Sequence, residues 1–155
     1  MIESLSDAKE ELKRVDHLIY VSLKYTRTAD VFVNTISRMI DAYNHMFDAL
    51  IKYCVENKMT KEEMPGSPIE KGNLIKSIFK EDEQIIDNVN LYFLLRKIFR
   101  AKIHEKTQEY RRHVTMKVMV DGREEIINID IITNYYFFQN DLFNRIKNMI
   151  IPPED

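Results

Sequence analysis

The sequence predicts a mainly α-helical protein: an antiparallel helical bundle of four or five helices with one β-hairpin before the last helix. Three observations carry this expectation. Apolar residues recur at three- and four-residue intervals through several long stretches. The period switches to two on either side of Asp121-Gly122 and then returns to helical spacing. With 3 Gly and 4 Pro in 155 residues, turn material is too scarce for a many-stranded sandwich. The length fits a single domain, 1–155.

Taken in order, Ser4 or Ser6 is placed to cap a first helix running to about Tyr25. Its stripe is Leu12, Val15, Ile19 and Leu23. Thr28 suits the N-cap of a second helix reaching about Asn57, with Asp30 in its first turn. Phe32, Ile36, Met39, Tyr43, Met46 and Leu50 step alternately by four and three, the seam of helices packed side by side. Cys54 extends that seam. Residues 58–68 hold Pro65, Gly66 and Pro68 and read as a surface loop. A short helix from about Ile69 to Phe79 follows, weakened by Gly72. Asp82 then opens a long helix predicted to reach Arg111.

From Val114 the alternation V-T-M-K-V-M-V, then Asp121-Gly122, then R-E-E-I-I-N-I-D-I predicts a hairpin over about 114–131. Asp-Gly suits the two positive-φ positions of a type I′ turn. That turn pairs Val120 with Arg123, Val118 with Glu125, Met116 with Ile127 and Val114 with Ile129. Thr133 is placed to cap a last helix to about Ile150, with Tyr135, Phe138, Leu142, Ile146 and Met149 inward.

Composition narrows the function classes. Hydrophobic residues at 45% and charged residues at 31% exclude a wholly disordered chain. The single cysteine excludes an intramolecular disulfide and a Cys-cluster zinc site, and it points to a reducing, cytoplasmic setting. Uninterrupted apolar runs of about 18 residues do not occur, so no membrane partner is expected. The N-terminal M-I-E-S-L-S-D-A-K-E-E-L carries acids where a signal peptide needs a basic and then an apolar stretch. No phosphate-binding glycine loop, His-Glu-x-x-His or Gly-x-Ser-x-Gly elbow is present, and no cofactor is implied.

One feature points outward. Residues 96–117 contain eight Lys or Arg against Glu105 and Glu109, a local charge of +6 in a chain of net charge −2. On a continuous helix Arg96, Arg100, His104 and Arg111 fall within about 80° of one another. With Lys97 and Arg112 they form a basic edge suited to phosphates and to salt-dependent RNA binding. The competing expectation is a solvated charged face favoured by the helix dipole. A ribonuclease could use His104 as general acid or base with Arg96 or Arg100 stabilising phosphorane-like charge. Asp41, His45 and Asp48 stand at i, i+4 and i+7, a donor set chemically competent for a divalent metal; exposed decoration of the helix is the competing expectation. Cys54 in the apolar seam reads as a packed thiol. In the block 135–138, Tyr135 and Phe138 read as core, and Tyr136 and Phe137 as an interface with another protein.

The segments A-K-E-E-L-K-R-V-D-H-L-I-Y-V-S-L-K-Y, A-D-V-F-V-N-T-I-S-R-M-I-D-A-Y-N-H-M-F-D-A-L-I-K-Y and L-L-R-K-I-F-R-A-K-I-H-E-K-T-Q-E-Y-R-R-H-V together resemble the HEPN superfamily over about residues 5–113. That resemblance implies a helical fold, a homodimer, and either a toxin-type ribonuclease or an inactive relative. The family's motif sets four to six residues between an Arg and a His. Here three residues separate Arg100 from His104 and seven separate Arg96 from it. The expectation is therefore a non-catalytic helical module that self-associates and binds RNA or a protein partner through the basic edge. The alternatives are a metal-independent ribonuclease using Arg96, Arg100 and His104, and a purely structural assembly subunit.

Overall fold

The computed structural model describes residues 1–25, 28–61, 63–101, 103–107 and 115–153. The chain is mainly helical: α1 (Ile2–His17), a π-helical turn (Leu18–Ser22), α2 (Leu23–Tyr25), α3 (Ala29–Glu56), α4 (Pro68–Ile78) and α5 (Glu83–Arg100) precede β1 (Ile103–Thr107), β2 (Thr115–Val120), β3 (Arg123–Ile127) and α6 (Ile129–Ile150).

Helix α3 is the axle of the bundle. All seven residues of its predicted seam are fully buried, from Phe32 to Cys54. Ala42, Phe47, Ala49 and Ile51 are buried beside them, because α1, α4, α5 and α6 all pack against α3. Each large apolar side chain so covered contributes about 1.5–3 kcal/mol. Tyr43, Phe47 and Tyr92 form a ring cluster with centroids 5.2–5.7 Å apart. The polar ends of the two tyrosines are satisfied across the α3–α5 seam. Tyr43 donates to Asn88 Oδ1 at 2.6 Å, and Tyr92 donates to Asn44 Oδ1 at 2.5 Å.

The caps follow side-chain chemistry where predicted and correct two placements. Thr28 accepts from Val31 N–H and opens α3, and Asp82 accepts from Ile85 N–H and opens α5. Neither Ser4 nor Ser6 caps α1, which already begins at Ile2. Ser4 is buried and accepts from Lys52 Nζ of α3 at 3.2 Å. Thr133 is likewise inside a helix, donating to the Ile129 carbonyl, and Asn128 is the cap of α6 instead. Gly72 is not merely a weak point of α4. A Cβ there would lie 2.6 Å from Phe93 Cζ and 3.2 Å from Val89 Cγ1, so its bare backbone is what lets α4 close on α5.

The hairpin has the predicted register: Val120 opposite Arg123, Val118 opposite Glu125 and Met116 opposite Ile127. Both turn residues take positive φ, 52° at Asp121 and 78° at Gly122. Met116, Val118, Val120 and Ile127 are buried, and β2 packs on α5. The predicted Val114–Ile129 pair is not part of it, since Ile129 starts α6 and Val114 lies outside the described residues. The larger correction concerns α5. It stops at Arg100, where Ala101 turns to extended backbone (ψ 151°), and 103–107 join the hairpin as a third antiparallel strand in the order β1-β2-β3.

Helix α6 is rotated from its predicted phase. Ile132, Tyr136, Gln139, Leu142, Phe143 and Ile146 are buried, while Tyr135 and Phe138 are only partly covered. Tyr136, expected at an outer interface, is 8% exposed and donates to Asp16 Oδ1 at 3.3 Å. Phe137 does remain half exposed. Among the described residues, no helix is long and apolar enough to cross a membrane.

Candidate nucleic-acid interface

The last turns of α5 carry Arg96, Lys97 and Arg100. Cations are favoured there by the partial negative charge of the helix C-terminus. Because α5 ends at Arg100, the predicted row along one continuous helix is broken. Arg96 and Arg100 still share a helix side at i, i+4. His104 falls instead on β1, where the pairing with β2 is irregular between Ile103 and Glu105. Arg111 and Arg112 lie outside the described residues.

The three cations of α5 have different surroundings. Lys97 reaches the hairpin turn and pairs with Asp121 Oδ2 at 2.6 Å, an exposed contact worth about 0–1 kcal/mol. The Arg96 guanidinium lies over the Tyr92 ring, 5.6 Å from its centroid. Arg100 donates from Nε to the Arg96 carbonyl at 3.3 Å and is otherwise solvent-facing. Burial pushes the Tyr92 phenol up, and Arg96 opposes that shift.

Arg96 and Arg100 border an open groove of about 310 Å³ between α3 and α5. Ser37, Asp41 and Asn44 form its α3 wall, and Phe99 joins the two arginines on the α5 side. Phe99 is the residue that sequence periodicity misplaces. The 100° rule assigns it to the core side of a longer helix, whereas one residue before the helix end it is 47% exposed. On the opposite wall, burial and the neighbouring Glu11 raise the Asp41 carboxyl, with Arg38 and His45 opposing. The Asn44–Tyr92 bond, which fixes this part of α3 against α5, joins residues too far apart in the chain for spacing to reveal.

The predicted triad of Asp41, His45 and Asp48 is not drawn together. Asp41 lines the groove, whereas Asp48 turns toward α4 and pairs with Lys71 at 2.8 Å. Among the described residues no group of three His, Cys, Asp or Glu has metal-holding geometry. Nor are the three on an open outer face, as decoration would require, since all are partly buried where neighbouring helices flank α3. Cys54 is wholly buried, and burial pushes its thiol to about 11, in keeping with a packed thiol and not a nucleophile. No protein-family model, curated protein or solved structure matches this chain.

Proposed function

We propose that the chain is a non-catalytic helical module that self-associates and binds single-stranded RNA on the C-terminal end of α5. The observation that carries this reading is the half-exposed Phe99 ring on the rim that also bears the Arg96 and Arg100 guanidinium groups. An exposed aromatic ring stacks any base, for about 1–3 kcal/mol per base, while guanidinium groups take the phosphates.

Two features favour binding over cleavage. The Arg–His spacing departs from the motif of the resembling superfamily, and the end of α5 at Arg100 removes the helical stacking of His104 on Arg100. Fluorescence anisotropy with a labelled oligouridylate tests the reading. Phe99→Ala and Arg100→Ala should each weaken binding by about tenfold without altering the melting temperature. Unchanged affinity in both variants refutes it.

Self-association is supported by the aromatic surface around Tyr136, where Tyr20 is 49% and Phe137 50% exposed. Exposed aromatic rings beside one another are suited to an interface with a second copy, and the HEPN-like resemblance contributes the same expectation. A two-fold dimer would bury this patch on both copies. Sedimentation equilibrium should show a dimer that Phe137→Glu dissociates; a monomer at micromolar wild-type concentration rejects this part.

A further inference from the structure

The end of α5 opposite the arginines carries a second surface of contrary character. An open trough of about 980 Å³ runs between the end of α3, the end of α4 and the start of α5. A neighbouring hollow of about 440 Å³ shares Leu74 and Ser77 with it and extends it along α4. Apolar side chains form part of the lining: Leu74 is buried, Ile78 and Phe79 are largely covered, and Met59 is 45% exposed beside the polar Thr60 and Ser77. Around this floor stand the exposed carboxylates Glu63, Glu70, Glu81 and Glu83, and Lys80 is the cation in the lining.

These acids are not spent on internal pairing. Asp82, also in the lining, is held by Arg145. The four glutamates form no ion pair with another described residue. The trough therefore offers some apolar contact, including an adaptable methionine, inside an acidic rim in which Glu70 and Glu83 complement the N-termini of α4 and α5 while Glu63 and Glu81 lie in the loops.

We propose that this trough docks a basic amphipathic helix of another protein. The rim repels phosphates and so excludes nucleic acid. Its walls are helices and loops with no strand of the sheet among them, so an added β-strand has no edge to pair with. A helix with one apolar stripe and flanking Lys or Arg satisfies floor and rim together. A second copy of this chain fits less well. The exposed basic residues of α1 alternate with Glu3, Asp7, Glu10 and Asp16, and those of α5 are confined to its last two turns. Glu83 and Arg100 stand at opposite ends of the 18-residue α5, about 26 Å apart. A basic protein and an RNA can therefore occupy the chain at once, although the docking proposal does not depend on the RNA reading.

The test uses the full chain and a fluorescein-labelled peptide of roughly 18 residues, with leucines at helical spacing and lysines elsewhere. Its control has glutamate at every lysine position. The basic peptide should bind saturably at low salt and the acidic one should not. Glu63→Lys/Glu81→Lys, which avoids both helix first turns, should weaken the basic peptide at least about tenfold. Arg123→Glu, exposed beside the hairpin turn that Lys97 reaches from the far end of α5, should leave it unchanged, and both variants should melt as the wild type does. Methyl shifts of Met59 on peptide addition would place the contact on the floor. Absence of binding, equal binding of both peptides, or equal affinity of the trough variant overturns the proposal. So does wild-type self-association that Glu63→Lys/Glu81→Lys abolishes while the peptide fails to bind, which assigns the trough to a second copy.

Discussion

Gly72→Ala sets helix propensity against packing, and the structure decides the sign. In the interior of α4, replacing glycine by alanine should by itself stabilise the protein by about 1 kcal/mol. The added Cβ, however, would stand 2.6 Å and 2.7 Å from Phe93 Cζ and Cε1. Carbon atoms rest at about 3.5–4.0 Å, so ring and helix must part by roughly 1 Å. Phe93 is poorly placed to yield, being packed against the core with Tyr92 at 5.9 Å and the Lys76 ammonium at 5.6 Å. Overpacking of this kind costs about 1–3 kcal/mol, which leaves a net loss of about 1 kcal/mol and lowers the melting temperature by about 2–4 °C. Thermal and urea unfolding followed by circular dichroism measure both quantities. In a Phe93→Ala background the same Gly72→Ala substitution should lose most of its cost and stabilise by up to about 1 kcal/mol, because the ring clash is gone and the 3.2 Å approach to Val89 Cγ1 is the contact left to relax. A stabilised single variant would refute the claim that α4 and α5 close through this glycine.

Three further outcomes follow from the same structure. One residue inserted between Asp121 and Gly122 would shift Ile127, now fully buried, to the outer face of the sheet and should cost about 3 kcal/mol in urea unfolding. Asp82 is held below the ordinary carboxylate range, first by the Arg145 hydrogen bond and also by the Ile85 N–H. Its contribution is therefore present above the unfolded value of about 3.9 and is lost as pH falls through the folded value. Asp82→Asn should flatten the acid limb of the stability curve below about pH 4, and an unchanged limb would show the ion pair to be idle. Cys54, raised to about 11 by burial, should resist a thiol reagent at neutral pH until the protein unfolds; rapid native-state labelling would contradict its packing.

The parts of this fold legible in the sequence are those fixed by local chemistry and a clean apolar period. The α3 seam is uninterrupted from Phe32 to Cys54, and every one of those residues is buried. Asp121-Gly122 sets the hairpin register through backbone preference alone. Where a polar residue enters a stripe, the reading slips. Gln139 is buried in α6 because its side-chain amide donates to the Met39 carbonyl at 2.8 Å. Its polarity disguises the true inward face and makes Tyr135 look more buried than Tyr136. The end of α5 was illegible for another reason. A-K-I-H-E-K-T holds good helix formers, and only pairing with β2 turns 103–107 into β1. Of the candidate site, the charges of Arg96 and Arg100 could be read directly. The exposure of Phe99 depended on where the helix stopped, and the opposing wall of α3 depended on tertiary packing.

The salt dependence of RNA binding tests the central claim most directly. Association constants for an oligouridylate are measured across a salt series with the wild type and with Arg96→Ala/Arg100→Ala. For single strands the slope of log K against log salt changes by about 0.7 per phosphate contact. The double variant should therefore bind more weakly with a slope shallower by about 1.4, at unchanged fold stability. Equal slopes in the two proteins, or no retention of the oligonucleotide by the wild type at low salt, would contradict the assignment of this end of α5 to RNA.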